Sequence, residues 1–153
     1  MDIDVHAHLM LRVMPDAVFA LATDAERFPA LFRGFGPIPG LRRIRLHGPL
    51  AVGVTRDVEG EDGVVMLERV TALEPGRHHA YTLSRLRPPL SWLVRTGHAD
   101  WRFTPEGDGT AVRWRYRFEL TAPLVWPLAA PLLKFFMQGA MQRCLAAMAQ
   151  ARA

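Results

Sequence analysis

By type and spacing, the residues best suited to chemistry are Glu68 and Arg56. Glu68 alternates with Val64, Met66 and Val70, and Arg56 with Val52, Val54 and Val58. Alternate positions on a strand share a face, so each charge falls on an otherwise apolar surface. A carboxyl in such a place suits general acid or base work, because burial raises its pKa while a neighbouring guanidinium lowers it. The same two residues equally suit a structural ion pair closed inside a sheet. Tyr81 joins them if Pro75 and Gly76 are the central pair of a hairpin, since Val70 then lies opposite Tyr81 and Glu68 opposite Leu83. Glu68, Arg56 and Tyr81 are therefore the catalytic candidates, and His79, two positions before Tyr81, adds a further polar group.

Other chemistry is poorly supported. His6 and His8 in IDVHAH resemble the metal-binding His-x-His of amidohydrolases, but that site needs a barrel and further ligands that a 153-residue chain does not supply. His78 and His79 are adjacent, so strand alternation sends them to opposite faces and argues against a two-His metal site. His98 and Asp100 fall outside the sheet unless a bulge turns His98 inward. The lone Cys144 lies on the apolar side of a helical pattern and reads as a core thiol. No phosphate loop, serine triad or dinucleotide fingerprint is present. The expectation is no metal and no cofactor.

The elements that must position these residues begin with a long hairpin, residues 97–120. Val112, Trp114, Tyr116, Phe118 and Leu120 alternate with Arg113, Arg115, Arg117 and Glu119. If Phe103 is opposite Val112, Trp101 meets Trp114 and Ala99 meets Tyr116, and both strands agree on one aromatic inner face. Residues 3–13 alternate as a first strand, and residues 41–47, 51–58, 64–73 and 78–86 supply four more. Asp16 to Ala22 forms a short helix; Thr23 and Glu26 have capping-box spacing and predict a second one starting at Asp24. GFGPIPG, residues 34–40, is too rich in Gly and Pro for helix or strand and reads as a connecting turn able to form a cavity mouth. RPPLSW, residues 87–92, reads as a rim loop. After Pro123, Pro127 and Pro131 a regular helix is expected from near Pro131, its apolar stripe including Leu133, Met137, Met141, Cys144 and Met148.

Composition sets the frame. The chain is expected to be one domain over residues 1–153, large enough for a core without disulfides. The net charge is +4, but all but one of its 19 basic residues are Arg and they are spread along the sequence, so no nucleic-acid partner is expected. The stripe Arg113, Arg115 and Arg117 leaves open an interaction with an acidic partner or lipid headgroups, with Trp126 and Phe135 as interface anchors. The run from Leu120 to Leu133 is too short and proline-broken for a transmembrane helix, leaving peripheral membrane contact as the alternative to covering the sheet. The lone cysteine and an acidic N-terminus without a long apolar core fit a cytoplasmic protein.

The order of elements, with LATDAERFPALF, GVTRDVEGEDGVVMLERV and DWRFTPEGDGTAVRWRYRF, resembles the SRPBCC, or START-like, superfamily, particularly its polyketide cyclase/dehydrase-like members. That resemblance implies an α+β helix-grip fold. A curved seven-stranded antiparallel sheet wraps a long C-terminal helix, two short helices sit between strands 1 and 2, and an apolar cavity lies inside. It implies a small hydrophobic, lipid-like or aromatic ligand held as by a carrier or sensor. Its alternative is a cyclase, aromatase or dehydratase enzyme. The expected ligand-binding residues are Arg56, Glu68, Tyr81, Trp101, Phe103, Trp114, Tyr116, Phe118, Met137 and Met141.

Overall fold

The computed structural model describes residues 1–151. Apolar–polar alternation at the start of the chain forms β1 (Asp2–Leu11), with Ile3, Val5, Ala7 and Leu11 buried. Pro15, whose missing N–H costs nothing in a first helical turn, opens α1 (Pro15–Ala22). Two very short strands, β2 (Gly34–Phe35) and β3 (Ile38–Pro39), pair with each other, and then come β4 (Leu41–Leu46), β5 (Thr55–Gly60), β6 (Val65–Glu74), β7 (His78–Ser84), β8 (Val94–Glu106) and β9 (Gly109–Leu120). The chain ends in helical segments that include α2 (Trp126–Pro131) and α3 (Gln138–Gln150).

Seven strands make one antiparallel sheet in the order β1-β9-β8-β7-β6-β5-β4. The β8–β9 register has Phe103 opposite Val112, Trp101 opposite Trp114 and Ala99 opposite Tyr116, as alternation on both strands requires. Along the β4–β5, β6–β7 and β8–β9 ladders the pairing skips Arg42, Thr71 and Arg95, each an exposed extra residue on one strand. Such bulges bend and twist a strand, which is what a sheet needs in order to curl around a helix. The Arg95 bulge lies before His98 and leaves that residue on the outer face, beside Thr82 and Glu119.

The helix that the sheet grips is longer than its prolines suggest. A 3-10 turn (Pro123–Val125), α2, a wider π turn (Leu132–Met137) and α3 form a helical run from Pro123 to Gln150, rather than a helix starting near Pro131. Pro127 falls in the first turn of α2, where a missing N–H costs nothing, whereas Pro131 lies inside the run and removes the donor that residue 127 would otherwise accept from, at the point where α2 gives way to the wider π turn. By length and composition this run is able to cross a membrane, but Ala140, Met141, Cys144, Leu145 and Met148 of its second half are buried in the common core. α3 also closes the open edge of β1: the backbone N–H of His6 donates to Gln138 Oε1 at 3.0 Å, and Gln142 Nε2 donates to the His8 carbonyl at 2.9 Å.

Three further expectations are corrected. The second short helix is only a 3-10 turn, Phe28–Ala30: Thr23 Oγ1 donates back to the Phe19 carbonyl, and Asp24 Oδ1 accepts from the Glu26 and Arg27 N–H groups instead. Residues 34–40 do contain strand, the minimal β2–β3 hairpin, because Gly34 and Gly36 take positive φ values that let so short a turn close. Residues 51–54 lie outside β5, with Val52 exposed, so Val52 does not share the face of Arg56.

Candidate functional site

β5, β6 and β7 send polar side chains into the concave side: Arg56 from β5, Glu68 from β6, and His79 and Tyr81 from β7. Arg56 pairs with Glu68 across β5–β6, and Tyr81 follows on β7 opposite Val70. Arg56 Nε donates to Glu68 Oε1 at 2.7 Å, and its guanidinium carbon lies 4.8 Å from the Tyr81 ring centre. Arg56 Nη2 is 3.2 Å from His79 Nε2; since a guanidinium only donates, Nε2 accepts and the imidazole carries its proton on Nδ1. Trp101 Nε1 donates a long 3.4 Å bond to the Tyr81 hydroxyl. All of these groups are buried.

A two-residue turn between β6 and β7 is the sequence expectation, yet Glu74 pairs with His78 and leaves a three-residue turn. The extra residue at Thr71 restores the pairing, so Val70 still meets Tyr81 and Glu68 still meets Leu83. The same shift turns Leu73, opposite His79, inward.

Electrostatics follow from burial. Burial pushes the Glu68 carboxyl above its usual range against the pull of Arg56. Burial alone would lower Arg56, but the Glu68 and tyrosine oxygens around it raise it above its ordinary value, so the guanidinium stays charged. His79 is pushed down to about 3, by burial first and then by the Arg56 charge, and is neutral at physiological pH. Burial also raises Tyr81, Tyr116 and Cys144.

Of these groups Arg56, Glu68, Tyr81 and Tyr116 face a cavity of about 290 Å³ between sheet and helix, whereas His79 and Cys144 do not line it. Of the residues expected to bind a ligand, Arg56, Glu68, Tyr81, Trp114, Tyr116, Phe118 and Met137 line it. Trp101, Phe103 and Met141 do not: they stand in the packed core. The reason is α1 and the turn after it, whose Phe19 ring meets Phe103 at 5.5 Å and Phe28 meets Trp101 at 5.9 Å, filling that end of the sheet. Trp114 lies between the two regions, stacked on Trp101 at 4.2 Å. Gly97 on β8 keeps the other end open. A Cβ there would come within 2.9 Å of the Tyr116 ring, so glycine lets Tyr116 and Phe118 lie flat and stacked, 4.6 Å apart, along the sheet.

Alternation points equally to wall residues not singled out from the sequence. Val58, Met66 and Leu83 are two positions from Arg56, Glu68 and Tyr81 and line the same cavity. The exposed lining, which forms the mouth, is Pro37 and Pro39 of the β2–β3 hairpin, Asp62 of the turn after β5 and Arg87–Pro89, with Leu90, Leu132 and Met137 partly exposed, so both Pro-rich loops are at the rim as expected. Phe35 pins the hairpin to the helix, with ring centres 5.7 Å from Phe135 and 5.6 Å from Phe136 and the Arg143 guanidinium 4.0 Å over its face.

On the outer face, Arg115 and Arg117 of the basic stripe lie 3.7 Å from Asp4 and Asp2 of β1. His6 and His8 face that same side, opposite Arg115 and Arg113. Among the described residues no three His, Cys, Asp or Glu side chains gather in a way that would hold a metal.

A curved sheet around a long helix, with a lined cavity between them, is a helix-grip arrangement, and residues 2–152 match the family described as polyketide cyclase/dehydrase and lipid transport. The chain belongs to that family. Solved structures share this fold over 98% of the chain. Norcoclaurine synthase from Thalictrum flavum in complex with dopamine and hydroxybenzaldehyde is 14% identical over 98% of this chain and 86% of that one, with a TM-score of 0.72. A crystal structure of a Thermus thermophilus protein is 18% identical over 98% and 97% of the two chains, with a TM-score of 0.74. The di-domain ARO/CYC StfQ of the steffimycin biosynthetic pathway is 17% identical with a TM-score of 0.76; the match takes in 98% of this chain and 50% of that one. At such identities these likenesses establish the fold. No curated protein sequence matches the chain.

Proposed function

We propose that this family member is a single cytoplasmic domain that binds a small, largely apolar molecule carrying one polar group, as a carrier or sensor does. The observation that carries this reading is the cavity's division of labour. Its apolar walls include Val58, Met66, Leu83, Phe118 and Met137, whereas Arg56, Glu68, Tyr81 and Tyr116 of the sheet lie close together, with Arg56 against Glu68 and Tyr81 and the two tyrosine rings 6.2 Å apart. Apolar walls supply affinity without direction, and a few convergent polar groups fix orientation. Met66 and Met137, unbranched and polarisable, suit a wall that repacks around rings or chains of different outline. The lipid-transport and cyclase descriptions of the family both call for such a chamber.

The test is a thermal-shift screen with fatty acids and bicyclic or tricyclic phenols. Ligands bearing a hydroxyl or carboxyl are expected to raise Tm, and Met66→Trp, which fills the chamber from its wall, is expected to abolish the shift while keeping the fold. Absence of any shift across the panel would overturn the reading. A second reading, acid–base catalysis of a ring closure or dehydration, is favoured by one observation: Glu68 is a buried carboxyl with a raised pKa, bordering the cavity and held by Arg56. Under that reading Glu68→Gln retains binding and loses turnover; equal turnover in the variant would remove it.

A further inference from the structure

One side of the first half of the C-terminal helix is left uncovered. Leu124, Leu128 and Phe135 are 89%, 69% and 61% exposed, and Trp92, on a neighbouring 3-10 turn, is 68% exposed. Single exposed apolar side chains are ordinary, but a contiguous group of large ones marks a surface that meets something. Leu124, Leu128 and Phe135 are spaced by four and seven, one side of a helix, while Ala129, Ala130 and Leu133 of the same stretch are buried. The Trp92 turn is tied to the helix start: Thr121 N–H donates to the Leu93 carbonyl at 2.9 Å and Thr121 Oγ1 to the Trp92 carbonyl at 2.7 Å. Both segments continue into the cavity mouth, where Arg87, Leu90, Leu132 and Met137 stand on its lining.

Charge indicates what covers this face. Arg85, Arg87, Arg95 and Lys134 are exposed on the same two segments, and neither residues 85–95 nor residues 121–142 contain an Asp or Glu. Lys134 Nζ lies 5.7 Å from the centre of the half-exposed Trp126 ring. Apolar side chains flanked by tryptophan and cations, with no carboxylate among them, have the chemistry of a helix lying in an anionic membrane interface. We propose that this face docks on an anionic lipid bilayer, in the plane of the headgroups, with the cavity mouth turned toward the lipid. The docking surface is independent of what the cavity holds, and its test does not involve cavity ligands.

The full chain is pelleted with vesicles of phosphatidylcholine containing one quarter phosphatidylglycerol, and with phosphatidylcholine alone. Binding is expected to the first, to weaken as salt rises, and to be much weaker to the second. Brominated lipid is expected to quench tryptophan emission, and this quenching to fall in Trp92→Ala. Leu124→Ser with Leu128→Ser, at positions too exposed to affect folding, is expected to lower partitioning about tenfold or more with Tm unchanged. Lys134→Glu is expected to lower it several-fold on anionic vesicles only. The proposal is overturned if the wild type fails to pellet at low salt, or if the Leu double variant partitions like wild type. It is equally overturned if light scattering shows a dimer that the same Leu substitutions dissociate, which would assign the face to a second copy of the chain.

Discussion

Arg56 and Glu68 hold each other where neither would survive alone. Removing one partner of a buried pair leaves an uncompensated charge, whereas replacing both by apolar groups of similar volume is often neutral. Arg56→Leu is therefore expected to cost about 3–5 kcal/mol in urea denaturation, and Arg56→Met with Glu68→Leu to recover most of it while losing discrimination among polar ligands. His79 contributes in a different way. Its pKa falls from 6.5 to about 3 on folding, so the unfolded chain takes up a proton that the folded protein refuses. That contribution is complete above pH 6.5 and is lost as pH falls from there toward 3. Relative to His79→Gln, which keeps an acceptor for Arg56, the wild type is expected to lose roughly 3 kcal/mol between pH 7 and pH 4, read from denaturation midpoints at each pH. An unchanged difference between the two proteins over that range would refute the assignment.

The elements that were readable from sequence are those whose pattern is repeated by a partner. β8 and β9 each alternate, and only one register lets both bury their aromatic residues, which is why Trp101 opposite Trp114 could be read in advance. The elements that were misread depend on choices made locally by one side chain or by tertiary packing. Thr23 bonds backward along α1 instead of capping a new helix, and the proline-spaced run after Thr121 is helical in spite of Pro131, with a change to a wider π turn directly after it. The β2–β3 hairpin is a case where the glycines decide: Gly36 at positive φ passes so close to Phe136 that a Cβ would sit 2.5 Å from its ring. This hairpin borders the cavity and is held to the helix by Phe35, which packs among Phe135, Phe136 and Arg143. At about 0.5–1.5 kcal/mol for each aromatic pair, Phe35→Ala is expected to speed release of a bound fluorophore by several-fold to about tenfold in stopped flow. Its effect on global stability should be smaller than that of truncating Trp101, which is locked in the core.

At the scale of the molecule, the helix-grip architecture was legible because seven alternating strands and one long apolar helix admit few ways to bury both. The cavity was legible only in part. Alternation tells which side of a strand faces inward, and so finds Arg56, Glu68, Tyr81 and Tyr116, but it does not tell where along the strand the inside is filled. That depends on α1 and Phe28, which occupy the end around Trp101 and Phe103 and leave the end around Tyr116 and Phe118 open. The bulge at Thr71 carries a consequence of a different kind. Because Val70 pairs with Tyr81 and Ala72 with Ala80, excising Thr71 would join two stretches already in step and leave each cross-strand partner unchanged. What would change is the bend of the sheet, and with it the breadth of the chamber. Deletion of Thr71 is expected to preserve folding and shift the preferred ligand toward a different girth, read as a changed optimum across a series of phenols of increasing ring number. Chain length at one outward-facing position thus acts as a gauge screw on the binding site: a lineage could resize its ligand through a single codon gained or lost, without touching any residue that the ligand meets.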